Sequence, residues 1–243
     1  MTERGAKAAL FDGFAEVAKA LANGRRAELV ELLAQGERHV EALATEIGQS
    51  IANTSFHLRV LANAGLVSTR REGTRVYYRL TSERVGELWA AVRDVAATHD
   101  ARLDELAAAY LGDRSRFEPI GNDELAARIA AGDVLVVDVR PPHEYAAGHI
   151  AGARSIPVEH LARRLAGIPR DVEVVAYCRG PFCVMADDAV RLLQRRGRRA
   201  RRLAGGFPEW RRDGLPGDGP GDGPGDGPGD GPGDGPARVE VAR

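Results

Sequence analysis

The sequence of 243 residues contains only two cysteines, and they stand five positions apart in one short segment. An apolar run, Val174 to Tyr177, leads into Cys178, and a helical pattern opens at Val184. The segment between them reads Cys178, Arg179, Gly180, Pro181, Phe182, Cys183. We therefore expect a strand, a tight loop and a helix in that order. Backbone N–H groups at a helix start favour a thiolate, so the sequence predicts a lowered pKa and a nucleophilic sulfur at Cys178.

Other roles for the two thiols stay open at this stage. Free cysteine is often a small buried apolar side chain, and Cys183 either packs in this way or resolves a bond formed at Cys178. Two sulfur atoms without a second pair of ligands would leave a tetrahedral shell half empty. We therefore expect no metal and no cofactor at this loop.

Segments on both sides of the loop carry a resemblance to a known family. They are Val134 to Arg140 (VLVVDVR), Gly148 to Ala153 (GHIAGA), and Leu203 to Phe207 (LAGGF). In this order, together with the Cys178 loop, they resemble the rhodanese-type sulfurtransferases over roughly residues 117 to 216.

The resemblance implies that Cys178 is catalytic. It would take a sulfane sulfur from thiosulfate or a persulfide and carry it as a persulfide, with the loop amides stabilising the negative charge. Asp138 and Arg140, at the end of the central strand, are expected to support the loop by a salt bridge. Many loops of this family have Arg, Lys or Thr where this chain has Cys183, which leaves the preferred sulfur donor open.

The overall composition limits the other classes of function. The formal net charge of −1 favours neither nucleic acid nor an acidic partner, so any such interaction must depend on local patches. No run approaches the about 20 apolar residues of a membrane span, and two cysteines outside a disulfide framework suit a reducing compartment. We expect a cytoplasmic protein without a membrane partner.

A helix-turn-helix pattern lies in the first quarter of the chain. A short helix over residues 40–47, a turn at 48–50 and a second helix from Ile51 to about Ala64 follow one another, and Ser50 is placed to cap the second helix. The residues expected on its exposed, DNA-contacting face are Asn53, Thr54, Ser55, His57 and Arg59. The residues expected on its buried face are Ile51, Phe56, Leu58, Val60 and Leu61. An ordinary amphipathic helix has the same pattern.

The segment that follows distinguishes these alternatives. Residues 66–80 read as two strands around a Glu-Gly turn, with Arg70, Arg71 and Arg75 clustered at the tip. A basic hairpin after a recognition helix is placed to contact the phosphate backbone. The runs ANTSFHLRVLANAGLV and REGTRVYYRL resemble the ArsR-type winged-helix repressors from about Phe14 to Leu80. This resemblance implies binding to a double-stranded DNA operator.

Metal sensing and dimerisation are two further features of that family. Many members sense metals, but this part of the chain has no cysteine, and His99 with Asp100 is too sparse for a site, so metal sensing is not expected. Residues 82–111 read as one long helix with an apolar stripe, which by resemblance would pair in a homodimer. Leu10, Phe11 and Phe14, on an earlier helical stripe, are expected in the core.

The sequence thus predicts a multidomain chain. It divides into an N-terminal α+β winged helix-turn-helix domain (1–111), a linker (112–116), a C-terminal α/β rhodanese-like domain with a mostly parallel sheet (117–216), and a tail (217–243). The tail repeats Gly-Asp-Gly-Pro five times from residue 217 to 236 and is expected to be disordered. Seven arginines between residues 191 and 202 are interpreted as a solvated surface.

These features lead to one main hypothesis. A DNA-binding regulator accepts sulfane sulfur on Cys178, and sulfur loading or a Cys178–Cys183 bond alters operator binding. One alternative is a regulator whose rhodanese-like domain senses or binds without turnover. The other is a sulfurtransferase that uses the winged helix mainly for dimerisation.

Overall fold

A computed structural model describes residues 2–115 and 117–220. Its N-terminal helices are α1 (Glu3–Leu21), α2 (Gly24–Leu33), α3 (Val40–Glu46), α4 (Ile51–Asn63), α5 (Glu83–His99) and α6 (Ala101–Leu111). The strands are β1 (Arg38–His39), β2 (Val67–Glu72) and β3 (Arg75–Leu80), which form an antiparallel sheet in the order β1-β3-β2. Leu29, Val30, Leu43, Leu58 and Leu61 are the centre of the core.

The helix-turn-helix and the wing form where the sequence predicts them. The Ser50 side chain accepts a hydrogen bond from the backbone N–H of Asn53 and caps α4, the candidate recognition helix. Strands β2 and β3 make the wing, and Gly73 supplies the positive φ of 59° that their two-residue turn requires. Arg38 in β1 lies opposite Tyr78 in β3, so the chain just before α3 is part of the wing sheet.

The prediction of a single long helix over residues 82–111 is wrong. The structure breaks it at Asp100, whose φ of −121° and ψ of 96° are extended. The Asp100 side chain accepts from the backbone N–H of Arg102 and also pairs with its guanidinium, so it caps α6. Aspartate competes in this way for the backbone groups of a helix, which favours a helix start at this position.

The core assignment at the chain start also fails in part. Leu10, Phe11 and Phe14 on α1 are 55%, 59% and 63% exposed. Only the C-terminal end of α1 packs on the core, through Val17 and Leu21. The apolar stripe therefore continues beyond the surface that a single chain can cover.

The C-terminal part contains the parallel sheet that the sequence predicts. Strands β4 (Pro119–Ile120), β5 (Val134–Asp138), β7 (Arg154–Ser155), β8 (Glu173–Tyr177) and β9 (Ala200–Leu203) are all parallel, in the order β4-β9-β8-β5-β7. Its helices are α7 (Asn122–Ala131), α8 (Pro142–Ala147), α9 (Val158–Arg164), α10 (Val184–Arg195) and α11 (Phe207–Arg212). A 3-10 turn covers Leu165–Gly167. Two apolar clusters pack in this part.

The expected tail begins with ordered residues. Gly217 and Asp218 form β10, which pairs antiparallel with β6 (His149–Ile150), so at least this start of the first repeat belongs to the folded part. Residues 221–243 lie outside the described part, as does Arg116 of the expected linker. Within residues 2–115 and 117–220, no helix is both long and apolar enough to cross a bilayer.

Candidate functional site

The two thiols lie in the loop that joins β8 to α10. Strand β8 ends at Tyr177, and Cys183 occupies the N-cap position of α10 with φ −90° and ψ 131°. Cys178 is buried, with 1% of its surface exposed, whereas Cys183 is partly exposed. The Cys178 Sγ donates toward the carbonyl oxygens of Cys183 at 3.7 Å and Gly180 at 4.0 Å.

The charge distribution in this pair differs from the prediction. Burial raises the pKa of Cys178 well above that of an ordinary thiol, and the neighbouring Cys183 acts in the same direction. The hydrogen bond from Cys178 lowers the pKa of Cys183 to about 7, with help from the backbone N–H groups of Arg179 and Met185. The lowered pKa expected at Cys178 is therefore wrong. Cys183, the more exposed of the two, is therefore the thiol that loses its proton first, because its desolvation costs less.

Gly206, in the segment that follows β9, packs directly against the loop backbone. A Cβ on Gly206 would collide with the backbone of Cys178, Arg179 and Gly180, so only glycine allows this approach. The backbone N–H of Gly206 donates to Glu209 at 2.9 Å, and that of Phe207 donates to the carbonyl oxygen of Cys178 at 3.3 Å.

The expected linker supplies another support for the loop. Arg114 donates to the carbonyl oxygens of Pro181 at 2.8 Å and Cys183 at 3.4 Å, and it pairs with the buried Asp187 at 2.6 Å. Arg202 lies 3.6 Å from the other Asp187 oxygen. Arg198 and Arg202 are both buried, so the interpretation of the basic run as a solvated surface is wrong for these two residues. Two guanidinium groups thus lie beside the two thiols.

Asp138 and Arg140 form a buried ion pair with an oxygen–nitrogen distance of 2.6 Å. Arg140 reaches the loop through a third residue. Its Nη1 donates to the side-chain oxygen of Gln35 at 3.0 Å, and Gln35 Nε2 in turn donates to the carbonyl oxygen of Arg179 at 3.2 Å. Gln35 follows α2, so the connection runs through the winged-helix part of the chain. Whether Asp138 and Arg140 support loop chemistry stays a prediction.

The side chain of Arg179 joins the loop to the helix-turn-helix. It donates to Glu144 in α8 at 2.5–3.1 Å and to Glu46 in α3 at 3.1 and 3.2 Å. Arg38 of β1 also pairs with both carboxylates. Burial tends to raise the pKa of Glu46, but the hydrogen bond and charge of Arg179 outweigh it, so its pKa lies below the ordinary value. The Arg179 side chain is thus mostly buried and is paired with these two carboxylates.

A second set of ion pairs crosses between the same two parts of the chain. Arg93 of α5 donates to Glu209 of α11 at 2.7 Å, with both side chains mostly buried. Arg211 of α11 pairs with Glu83 of α5. A cavity of about 420 Å³ lies beside these pairs; Gln35 and Glu209 line it, and neither cysteine does. Residues from both parts of the chain therefore line this cavity.

The helix α4 presents a different face from the one predicted. Thr54 and His57 are buried, and burial lowers the pKa of His57. Ile51 and Phe56, expected inside, are about half exposed. The buried stripe runs through positions 54, 57, 58 and 61, which are spaced three to four residues apart as one helix face requires. The exposed face of α4 comprises Ile51, Ala52, Asn53, Phe56 and Arg59, with Ser55 partly exposed.

The three wing arginines are exposed but differ in their contacts. Arg70 pairs with Glu37 at 2.7 Å and with Glu72 at 2.8 Å, and its guanidinium lies over the Tyr77 ring. Arg71 and Arg75 flank the tip of the hairpin. Arg70 is thus held against the protein surface.

Sequence reasoning missed several residues that contact the loop. Gln35, Glu46, Arg93 and Arg114 precede the loop by 64 residues or more, and Glu209 follows it on another helix. No local pattern in the sequence connects any of them to the cysteines.

Comparison with known proteins agrees with this architecture. The family model described as "Rhodanese-like domain" matches residues 121–213. The model described as "Bacterial regulatory protein, arsR family" matches residues 23–69. The chain belongs to the transcriptional regulators that join an ArsR-family winged helix-turn-helix to a C-terminal rhodanese-like domain.

Individual relatives match either the whole architecture or one part of it. The chain is 52% identical to the "HTH-type transcriptional regulator Rv0324" of Mycobacterium tuberculosis over 212 residues. The aligned residues make up 87% of this chain and 93% of that protein. A "Sulfurtransferase" of Allochromatium vinosum is 39% identical over 99 residues, 40% of this chain and 91% of that one. A solution structure described as the homodimeric winged helix-turn-helix DNA-binding domain of Mb0332 from Mycobacterium bovis is 51% identical. It covers 42% of this chain and 93% of its own, with a TM-score of 0.38.

Proposed function

We propose that Cys178 of this regulator accepts sulfane sulfur and that sulfur loading changes the affinity of the winged helix for its operator. The observation that carries the proposal is the contact of Arg179, the residue next to Cys178, with Glu46 on the helix that precedes α4. A change in the loop therefore acts directly on the helix-turn-helix.

The first step is transfer of sulfur to Cys178. The Cys178 sulfur attacks the outer sulfur of thiosulfate, the sulfur–sulfur bond of thiosulfate breaks, and sulfite leaves with the bonding electrons. The thiol proton passes to the neighbouring Cys183 thiolate, whose pKa of about 7 makes it the nearest base in the loop. The backbone N–H groups of Gly180 and Ala186 point at Cys178, which favours a negative charge there.

Loading of this kind requires the loop to rearrange. The Cys178 thiol now points at two carbonyl oxygens, those of Gly180 and Cys183. A persulfide anion has no proton to donate and is repelled by both oxygens, so these peptide groups must turn. The carbonyl of Arg179, directly before Gly180, accepts the Gln35 hydrogen bond. The rearrangement thus reaches both Gln35 and Glu46.

Operator binding is assigned to the exposed face of α4 and to the wing. Arg71 and Arg75 at the hairpin tip are placed to contact phosphates, whereas Arg70 is occupied by Glu37 and Glu72. We predict that Arg71→Ala and Arg75→Ala each reduce the slope of log affinity against log salt by about one. Arg70→Ala is the matched control and reduces it less. Equal slopes for all three variants and the native chain would remove the wing from the DNA interface.

A homodimer and a cytoplasmic location are part of the proposal. Leu88, Val92 and Val95 form an exposed apolar stripe on α5, and Leu106 and Tyr110 extend it on α6. Together with the exposed apolar residues of α1, this stripe supports pairing with a second copy of the chain. Binding to an operator requires a compartment that contains DNA, and two free thiols suit a reducing one. The cytoplasm meets both conditions.

One observation favours the alternative in which the rhodanese-like domain acts as a sensor without rapid turnover. Cys178 is almost completely buried and is the protonated member of the pair. Both properties slow repeated attack on an external donor, which suits a sensor. Cyanide-dependent turnover of thiosulfate distinguishes the two versions, because a sensor loads once and then releases thiocyanate slowly.

The test compares operator affinity of the reduced and sulfur-treated full chain, for the native protein and for Cys178→Ser. DNA from the chain's own upstream region serves as the probe, and intact mass counts the sulfur atoms added. The proposal expects an affinity change in the native chain and none in Cys178→Ser. A mass change at Cys178, either one added sulfur or the loss of two hydrogens, without any change in affinity would refute the coupling, and an unchanged mass in both cysteine states would refute the acceptor role.

A further inference from the structure

We propose that Cys183 resolves the Cys178 persulfide by forming a Cys178–Cys183 disulfide and releasing hydrosulfide. The two thiols would then reduce sulfane sulfur to sulfide as well as accept it, and the long-lived product would be the disulfide. This inference rests on the proposed function, because it needs a persulfide at Cys178.

The geometry places the two cysteines next to each other. The Cys178 Sγ lies 3.7 Å from the Cys183 carbonyl oxygen, and the two thiols are close enough to shift each other's pKa in opposite directions. The loop between them has only four residues, and the hydrogen bond from the N–H of Cys183 to the carbonyl oxygen of Gly180 folds it back on itself. No other cysteine exists in the chain, so an intramolecular reaction of the persulfide can involve Cys183 alone.

The surroundings of Cys183 favour its role as the attacking sulfur. Cys183 sits at the N-cap of α10, where free N–H groups face it, and it is more exposed than Cys178. Its pKa of about 7 gives a substantial thiolate fraction near neutral pH, close to the optimum for thiol–disulfide exchange. Arg114 donates to the Cys183 carbonyl oxygen, which holds this end of the loop in place.

The atoms and charges of the step balance. Loading leaves a Cys178 persulfide anion and a Cys183 thiol, and the proton then moves from Cys183 to the outer sulfur, which restores the Cys183 thiolate. The Cys183 sulfur bonds to Cys178 Sγ, the bond from Sγ to the outer sulfur breaks, and the outer sulfur leaves as HS⁻ with the proton of Cys183. The sulfane sulfur is reduced and the two cysteines are oxidised, so no external oxidant is needed. An external thiol returns the pair to its reduced state.

The two loaded states differ in charge. A persulfide keeps a negative charge in the loop, whereas a disulfide removes it and ties Cys178 to the helix start. The disulfide also eliminates both hydrogen bonds from the Cys178 thiol to the loop carbonyls. A regulator that ends in the disulfide would thus retain its changed state until a thiol reduces it.

The test uses reduced full-length protein and thiosulfate labelled with a sulfur isotope in its outer position. We expect the native chain to release one labelled hydrosulfide per sulfite and to end two hydrogen masses below the reduced chain. Cys183→Ser lacks the thiolate that accepts the Cys178 proton, so it should load more slowly, but it should then retain one labelled sulfur on Cys178 and release none. Cys183→Ala repeats this arm with a different side chain, and circular dichroism checks that both variants are folded.

The outcomes separate this inference from the proposed function. Retention of the labelled sulfur by the native chain, without hydrosulfide, overturns the resolving role and leaves the acceptor role intact. Absence of sulfur addition to every form of the protein overturns both. Hydrosulfide release at the native rate from Cys183→Ser also overturns the resolving role.

Discussion

The contact between Glu46 and Arg179 gives the sharpest prediction about communication between the two domains. Glu46→Gln removes the charge and leaves the size of the side chain nearly unchanged. The two hydrogen bonds are 3.1 and 3.2 Å long, about a third of the Glu46 side chain is exposed, and Arg179 retains Glu144. We therefore expect the Glu46–Arg179 interaction to weaken by about 1 kcal/mol. This value is at the upper end for exposed ion pairs and below the ~3–5 kcal/mol of fully buried ones.

A contact can change the coupling between two sites by no more than its own difference in free energy between the two states. About 1 kcal/mol corresponds to about a fivefold change in a binding constant. The ratio of operator affinities between reduced and sulfur-loaded protein should thus move toward one in Glu46→Gln, by at most about fivefold.

The measurement is operator binding by fluorescence anisotropy for both states of each variant, with sulfur loading checked by intact mass. Glu41→Gln is the matched control, because Glu41 lies on the same helix, carries the same charge and pairs with His39 rather than with the loop. The control should keep the native ratio. If Glu46→Gln also keeps it at equal sulfur loading, the contact does not transmit the signal.

Three other predictions follow from single features of the structure. Gly206→Ala places a Cβ against the loop backbone and should destabilise the protein by about 1–3 kcal/mol in urea unfolding. Gly167→Ala is the control and should have little effect, because the space around Gly167 is open. Equal stability of the two variants would contradict the close approach of Gly206 to the loop. Alkylation of Cys183 should accelerate as the pH rises through about 7, because its thiolate forms there. Cys178, whose pKa is raised, should react only at much higher pH. Mass spectrometry that shows Cys178 alkylated first at neutral pH would contradict this order. Val95→Lys should shift the chain from dimer to monomer in sedimentation, since a buried valine contributes about 1.5–3 kcal/mol, and an unchanged dimer would exclude the α5 stripe from the interface.

Local sequence patterns predicted much of the architecture. Ser50 at the start of α4, the turn at Gly73 and the strand before Cys178 each depend on neighbouring residues, and all three form as expected. The two families were also recognisable from runs of adjacent residues. Patterns of this kind report hydrogen bonding and burial within one element, which explains their reliability.

Properties that depend on distant residues could not be predicted in the same way. Arg179 meets Glu46 across 133 positions, and Gln35 meets the Arg179 carbonyl across 144. The burial of Cys178 depends on the same tertiary packing, and burial outweighs the helix-start effect that suggested a lowered pKa. On α4, Thr54 looked polar enough to be exposed, yet its hydroxyl donates to the Ser50 carbonyl and is satisfied inside the protein.

The most direct test of the central claim is hydrogen exchange of the full chain, reduced and sulfur-loaded, which requires no knowledge of the operator. If the state of the Cys178 loop is transmitted through Gln35 and Glu46, loading should change the exchange of the amides in α3 and α4 in the native chain and leave Cys178→Ser unchanged. Exchange that changes only within the rhodanese-like domain, with residues 40–63 identical in the two states, would contradict the account.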